Sequence, residues 1–594
     1  MQLSTIVRGA FGVCLSASLI SASTSPTHIK TDATSTRDLF LRQLLAESAD
    51  YGNFSSSVSE PNHKLKVGII GAGAAGLYAA ILLDSLGVDY EILESSERIG
   101  GRIFTHRFNT TAWGASKPGE PEYYDYYDVG AMRFPGLKWM DRVIGKANNS
   151  LITYINSKLK PGNRPVTLIP YIFQANNTFR LYNDKLVYNQ ITPSAANFNI
   201  LTSQGGTINN TAFSTMSPGT VFNDAVDDIV KSLNVDFTTG FNKLMEYDNL
   251  SVRQYLLTKG YSTQEIDWLE AINEATTHYD TYSLGQAVIE QWIFSETPLG
   301  NWYNVEGGMD RLIDGMTKVI RKTVETKKRV TAIRRTGKGS LKVVINGAEE
   351  RVYDHVINTA PLGAVQVIDM TELNLDYRKK HAIRRLQYDP SVKMGIKFKT
   401  RWWEQLDSGS FQGGQSFSDL PLRRCVYPSY GLGIPDAPGT MIASYTWGQD
   451  SARLGAYLTR DESREHLIDV ALQNLAAMHN VTLEFLRDQY VDFHAWDWHG
   501  SEDSLGGFAK CGPGQYTTLM PTLMTPAANG RLHFGGEALS SAHAWILGAV
   551  NSGYRTVAEV LAVEGMHDKL SSMVDMWGTL GEVDMGWYSH KLAK

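Results

Sequence analysis

The run Lys66-Val67-Gly68-Ile69-Ile70-Gly71-Ala72-Gly73-Ala74-Ala75-Gly76 constrains the fold more than any other stretch of the chain. Val67 to Ile70 is a short apolar segment of the kind that forms a buried parallel strand. Gly71 permits a tight turn after it, Gly73 lets backbone approach a phosphate, and Gly76 lets the next helix pack close to the strand. That helix, predicted over about 74–86, aims its free N-terminal amides, those of Ala74 and Ala75 among them, at the turn. A second strand, Glu91-Ile92-Leu93-Glu94, ends on an acid 23 positions beyond Gly71. This is near the spacing at which a carboxylate grips ribose hydroxyls. A glycine turn alone would be weak evidence; strand, turn, helix, strand and acid together predict a βαβ unit that cradles a dinucleotide.

With 594 residues, 43% of them hydrophobic, the chain has material for several domains and a sizeable core. A net charge of -6 without any basic block argues against nucleic acid and against an anionic membrane as partners. Residues 1–23 carry Arg8, a Ser-diluted apolar stretch and small residues at Ser21-Ala22-Ser23. They read as a secretory signal peptide, too short and too rich in Ser to span a bilayer. Residues 24–62 are rich in Ser, Thr and Asp, with one amphipathic island at 38–47, and read as a leader or a pro-segment. Seven Asn-x-Ser/Thr sequons, at Asn53, Asn109, Asn148, Asn176, Asn209, Asn249 and Asn480, fit a secreted, N-glycosylated protein. Removal of the signal removes Cys14 and leaves Cys425 and Cys511, so at most one disulfide can form. No HExxH, CxxC or Ser-His-Asp arrangement appears, and no metal is expected.

Beyond the βαβ unit a Pro/Gly/Tyr-rich loop region spans 108–128. From about 136 to 302 the pattern reads as helical: Val221, Ala225, Val226, Ile229, Val230 and Leu233 share one stripe. Strand patterns return at 329–333, 341–345 and 355–359, then at 392–398, 425–430 and 441–447. The chain closes on Arg531-Leu532-His533-Phe534-Gly535-Gly536-Glu537 and a helix over about 548–562. The class is α/β, with the dinucleotide domain assembled from at least three separate segments.

Four ordered motifs carry a resemblance. They are Gly71-x-Gly73-x-x-Gly76; Arg98-x-Gly100-Gly101-Arg102; Asp128-Val129-Gly130-Ala131-Met132-Arg133-Phe134-Pro135; and Phe534-Gly535-Gly536-Glu537 with His543-Ala544-Trp545-Ile546 and Ser552-Gly553. Together they resemble the flavin amine oxidase family, and within it the secreted L-amino acid oxidases, over about residues 64–562. The resemblance implies a discontinuous Rossmann-like FAD-binding domain (64–110, 301–390 and 511–565), a mixed-sheet substrate-binding domain (111–140 and 391–510), an inserted helical domain (141–300) and a C-terminal tail (566–594).

The same resemblance implies roles. Arg133 would bind a substrate α-carboxylate, for which a planar guanidinium fork is suited. Lys393, in the β-like run Ser391-Val392-Lys393-Met394, would serve the reaction of reduced flavin with oxygen. Trp545 and Tyr427 would wall the substrate in front of the flavin, and His278 could touch the substrate side chain. Met132, Arg133, Glu94, Arg102, Val330, Glu537, Trp545 and Ile546, with the glycine turn, would hold FAD. Where monoamine oxidases attach the flavin to a cysteine, this chain has Leu505-Gly506-Gly507-Phe508, so the FAD is expected to be non-covalent. The expected activity is oxidative deamination of L-amino acids by oxygen to 2-oxo acids, ammonia and hydrogen peroxide, with homodimerisation left open. The rivals are an amine or polyamine oxidase in which Arg133 is structural, a decarboxylating monooxygenase, and a secreted flavoprotein without catalysis.

Overall fold

The structure is a computed structural model that describes residues 36–47, 64–273, 276–295, 301–337, 339–406 and 409–583. The segment read above as a signal peptide, most of that read as a leader or pro-segment, and the sequon at Asn53 lie outside the described residues. The predicted βαβ unit heads a four-stranded parallel sheet in the order Asp89–Leu93, Lys66–Ile70, His355–Asn358, Leu532–Phe534. Its strands come from three distant parts of the chain, so this domain is discontinuous. Glycines set its layer spacing. A Cβ on Gly76 would sit 2.0 Å from the Gly71 carbonyl oxygen, and one on Gly553 2.6 Å from that of Ala75. The helices Ala74–Ser85 and Ile546–Val563 therefore press against the sheet and against each other at backbone distance. A three-stranded antiparallel sheet, Val330–Arg335, Leu341–Ile345 and Glu349–Tyr353, lays the Tyr353 ring over Gly68.

The second large unit is a seven-stranded mixed sheet. Its order is Tyr490–Asp497, Ser391–Phe398, Gly439–Trp447, Arg424–Val426, Gln415–Ser418, Phe179–Tyr182, Lys185–Tyr188, with one parallel pair between Gln415–Ser418 and Phe179–Tyr182. Period-two alternation along Ser391–Phe398 sends Val392, Met394, Ile396 and Phe398 into a core shared with Leu467, Ala471, Leu472 and Leu475 of the helix Asp461–His479. Lys393 and Gly395 face the other way. A Cβ on Gly395 would lie 2.2 Å from the Tyr127 ring, so only glycine lets the two layers meet there.

The helical block starts later than its periodicity suggests. Within 141–300, Leu168–Tyr171, Phe179–Tyr182 and Lys185–Tyr188 are strands, and the long helices begin with Pro218–Val235. The hairpin Phe179–Tyr188 turns on Asn183 and Asp184, both at positive φ, 47° and 56°. This two-residue Asn/Asp turn between alternating segments is a hairpin signal that the helical pattern obscures.

Both flanking segments are anchored. The island 38–47 lies in the helix Thr36–Glu47, whose Phe40, Leu41, Leu44 and Leu45 are buried. The Phe40 ring lies 5.1 Å from Phe237 and 5.3 Å from Trp292. Ser541 donates its hydroxyl to Asp38 (3.1 Å), and its amide and hydroxyl to Glu582 (2.9 and 2.8 Å). Leader, tail and the C-terminal glycine motif thus meet at one serine. Among the described residues no helix is long and apolar enough to cross a membrane.

Candidate active site

A cavity enclosing about 1550 Å³, part of it open to solvent, lies where the two large sheets face each other. All four parallel strands end on it, through Gly71, Glu94, the turn Thr359-Ala360-Pro361, and Gly536-Glu537. Carboxyl ends of parallel strands are where open α/β sheets bind their ligands. Two helix N-termini open onto it as well. Gly73, Ala74 and Ala75 line it at the start of one helix, and Trp545, Ile546 and Ala549 at the start of the other. Neither N-cap carries a side-chain hydrogen bond, which leaves amides and the positive dipole end for an anionic ligand.

The acid end of the cradle is tightly organised. Glu94 accepts from the Ala72 amide (2.8 Å) and from the Ser96 amide and hydroxyl (2.9 and 3.0 Å). Glu537 accepts from Arg102 (2.8 Å) and from the amides of Ala509 (2.9 Å) and Ala544 (2.8 Å). Burial raises its pKa, but Arg102, His543 and these amides outweigh burial and hold the carboxyl below the usual range. The hold on Ala544 has a local function. This residue sits at φ 64°, left-handed for a non-glycine, and it sets the direction of Trp545 into the cavity.

Lys393 lines the cavity with its amine donating to the carbonyls of Asp128 (3.1 Å) and Gly130 (2.5 Å), 4.5 Å above the Tyr445 ring. Burial pushes the amine down to about 7, Asp128 opposing and Arg133 assisting. Burial likewise raises the Asp128 carboxyl to about 6, against hydrogen bonds from Thr105 and the Met309 amide. An ammonium so placed can exchange a proton near neutral pH.

Arg133 sits just behind this wall, held by a three-stranded sheet of Phe134–Pro135, Trp302–Val305 and Leu168–Tyr171. Its guanidinium is 4.7 Å from the Phe173 ring and 5.7 Å from those of Tyr171 and Trp302. One nitrogen donates to the Tyr171 hydroxyl at 3.3 Å. Among the described residues no carboxylate pairs with Arg133. The Trp302 ring lies 6.3 Å from Trp545, linking this aromatic box to the cavity wall.

The structure brings Gly71, Gly73, Ala74, Ala75, Glu94, Arg102, Lys393, Glu537, Trp545 and Ile546 together around the cavity. Gly76 acts through packing, and Met132 is buried beside Arg133 in sequence without lining the cavity. Three expectations are corrected. Tyr427 is fully buried in the second core, stacked on Phe411 and hydrogen-bonded to Ser416 (3.0 Å) and His479 (2.7 Å). The tyrosine at the cavity is Tyr445, since its strand Gly439–Trp447 pairs with the Lys393 strand whereas Arg424–Val426 lies one strand further out. His278 does not reach the cavity: it is sealed against Lys510, with Asp389 at 3.4 Å, and burial holds it far below the ordinary imidazole pKa. Val330 pairs with Ile345 inside its own sheet and does not line the cavity. Sequence reasoning missed Trp496, Trp498, Tyr171, Phe173 and Trp302. The alternation His494-Ala495-Trp496-Asp497-Trp498 was the legible signal for the first two; Tyr171, Phe173 and Trp302 meet only through strand pairing.

A phosphate-cradling parallel sheet that opens onto a second sheet bearing a buried lysine and aromatic walls defines a dinucleotide-dependent oxidoreductase. The chain belongs to the flavin containing amine oxidoreductase family, whose model matches residues 74–561, and its cofactor is accordingly a flavin. It is 35% identical over 617 residues to L-amino-acid oxidase 4 of Hebeloma cylindrosporum, covering 96% of this chain and 94% of that one. It is 28% identical over 528 residues to an L-amino-acid oxidase of Siganus canaliculatus, covering 86% and 88%. A Dictyostelium discoideum protein named as a bifunctional amine oxidase is 36% identical over 590 residues, and the chain spans about half (52%) of its length. In fold, the chain matches putrescine oxidase bound to putrescine (TM-score 0.60, 16% identity, 84% and 100% covered). It also matches cyclohexylamine oxidase from Brevibacterium oxydans (0.59, 16%, 85% and 100%). The residues present fit a flavin dinucleotide. A Cβ on Gly73 would meet only one carbonyl, at 4.0 Å, so its bare backbone faces open space, and Glu94, Arg98 and Arg102 stand along the same wall.

Proposed function

We propose that the protein is an FAD-dependent L-amino acid oxidase that converts L-amino acids, with oxygen, into 2-oxo acids, ammonia and hydrogen peroxide. The observation that carries this reading is Arg133: a buried guanidinium boxed by aromatic faces and, among the described residues, with one neutral hydroxyl as hydrogen-bond partner and no carboxylate of its own. A buried cation without a counter-charge is costly, and a ligand carboxylate would relieve that cost with a bidentate contact. A substrate that is only an amine would leave it unrelieved. The two relatives named as L-amino-acid oxidases support the same substrate class.

Glu94, Arg98, Arg102 and the two helix N-termini would hold the FAD. Bound there, FAD supplies the two-electron acceptor for the amino acid, and its reoxidation by oxygen yields the peroxide. Arg133 fixes the carboxylate, Trp545 and Tyr445 confine the α-amino group between aromatic faces, and Trp496 and Trp498 keep water from that end. No protein base is needed if the α-amino group enters neutral. Lys393, with its pKa near neutrality, holds or releases the proton required on the oxygen side. Attachment of FAD is non-covalent in this reading: Phe508 lines the cavity, and Cys425 and Cys511 are buried free thiols outside its lining. Export through the N-terminal signal, with glycosylation, fits the six described sequon asparagines, all of which are exposed.

The test is anaerobic mixing with L-amino acids, then with D-amino acids and simple amines. Bleaching of the flavin by L-amino acids alone, and 2-oxo acid with peroxide on admitting oxygen, is expected. Bleaching only by amines without a carboxylate would overturn the reading. Colour remaining with acid-precipitated protein would overturn non-covalent attachment.

A further inference from the structure

Resting on the reading that the chain is exported and glycosylated, we propose that Asn480 carries an N-linked glycan whose first sugar packs on the Phe485 ring, which makes this sequon a built sugar site on the rim of the second core. The whole sequon, Asn480-Val481-Thr482, lines a shallow surface hollow of about 670 Å³ together with Leu406 and Phe485. Among the described residues no charged side chain lines it, and Phe485 is 39% exposed. Leu406 and Val481 pack against the second core, and the Phe485 ring stands 6.3 Å from buried Trp402, nearly at a right angle to it. An apolar, uncharged surface beside an attachment point fits a neutral pyranose, whose C–H face suits the negative face of an aromatic ring.

The local backbone holds the three sequon residues in one pose. Asn480 ends the helix Asp461–His479 at φ 53°, a left-handed position that Asn tolerates, and its amide and that of Val481 both donate to the Ala476 carbonyl. Thr482 then caps the helix Leu483–Gln489 by accepting from the Phe485 amide at 3.1 Å. At the Asn109 sequon the side-chain oxygen is itself the cap, accepting from the Ala112 amide at 2.9 Å. At Asn480 the capping bonds come from backbone amides, so a sugar on the side chain disturbs none of them. Capping accounts for Asn480 and Thr482; it does not account for an apolar ring left in water beside them. Attachment transfers an oligosaccharide from a lipid-linked diphosphate donor. The bond from sugar C1 to the phosphate oxygen breaks, a bond from C1 to the Asn480 amide nitrogen forms, and the amide proton leaves with the diphosphate. Nothing is oxidised or reduced.

The experiment uses the full chain secreted by a eukaryotic host, as the parent, Phe485→Ala and Phe485→Tyr. Glycan occupancy is mapped on peptides, and release of each glycan from the native flavoprotein by a glycoamidase is timed, with the flavin spectrum as the folding control. The expected result is a glycan on Asn480 in all three proteins. Its release should be about fivefold slower in the parent than in Phe485→Ala, because the ring contact shields the linkage. Phe485→Tyr keeps the ring and should release as slowly as the parent, and the other occupied sequons should release alike in all three. A bare Asn480 beside occupied sequons elsewhere would overturn this proposal alone. Equal release from Asn480 in the parent and Phe485→Ala would overturn the contact between sugar and ring. A protein with every sequon bare would overturn the glycosylation reading itself.

Discussion

The cradle at Gly71 lines the cavity, the box at Arg133 adjoins its wall through Trp302 and Trp545, and the two are built on opposite principles. The cradle works with backbone: glycines remove side chains so that amides and helix ends face the cavity, and its sequence signature from Gly71 to Arg102 lies within a few dozen residues. The box is built from side chains: Tyr171 and Trp302 lie on two paired strands, and Arg133 and Phe173 directly flank the strands Phe134–Pro135 and Leu168–Tyr171, so pairing brings the four together. A backbone site is intolerant of any added atom. A side-chain site tolerates repacking but loses specificity when one donor goes.

The comparison is most easily broken at Gly76. Replacement by Ala places a Cβ 2.0 Å from the Gly71 carbonyl, and the expected cost is roughly 3 kcal/mol or more. Lost flavin retention and a lowered Tm would be measured; a fully loaded, equally stable Gly76→Ala protein would remove the close-packing argument. Next in size is Arg133→Ala. It should lower kcat/KM for L-amino acids by about 10²–10³-fold with flavin loading intact, and Arg133→Lys should recover only part of the loss because it lacks the fork. Smaller still, Lys393→Met should cut turnover by about 10–100-fold through the oxygen step, seen as slower reoxidation in air. The variant should also lose the limb of the pH–rate profile near pH 7 that the Lys393 amine sets; a limb that persists would assign it elsewhere.

The smallest effect tests the anchoring outside both sites. Burial first, and Asp38 second, push the Glu582 carboxyl up to about 7. The folded state therefore binds this proton more tightly than the unfolded chain. The associated stability is fully present below the ordinary glutamate pKa and is lost as pH rises through about 7. Relative to Glu582→Gln, the parent Tm should fall by about 1–3 °C across that window; parallel Tm curves would show that the Asp38–Glu582 contact does not titrate.

What could be read from the sequence follows the same division. The turn at Gly71, the acid at Glu94 and the Arg98–Arg102 segment are local, and their spacing alone states their geometry. Lys393 was legible through the family resemblance, set in the β-like run Ser391-Val392-Lys393-Met394. Tyr427 and Tyr445 could not be ranked, since both lie in β-like runs and only the strand order places one against Lys393 and the other in the core with Val392 and Met394. His278 illustrates a further limit: a histidine in a helical segment looks the same whether it meets a ligand or is sealed beside Lys510 and Asp389. The hairpin at Asn183-Asp184 was visible in principle and was hidden by the helical stripe that follows it.

The contact of Asp38 and Glu582 with the same serine also bears on topology. The first and last described segments, more than 500 positions apart in sequence, end side by side, so the fold is nearly a closed loop in space. Such a fold can in principle be cut at an exposed loop and rejoined between these two segments without moving a core residue. Removing the N-terminal segment ahead of the glycine turn is a different operation, because it would strip Phe40 from between Phe237 and Trp292 and open the core.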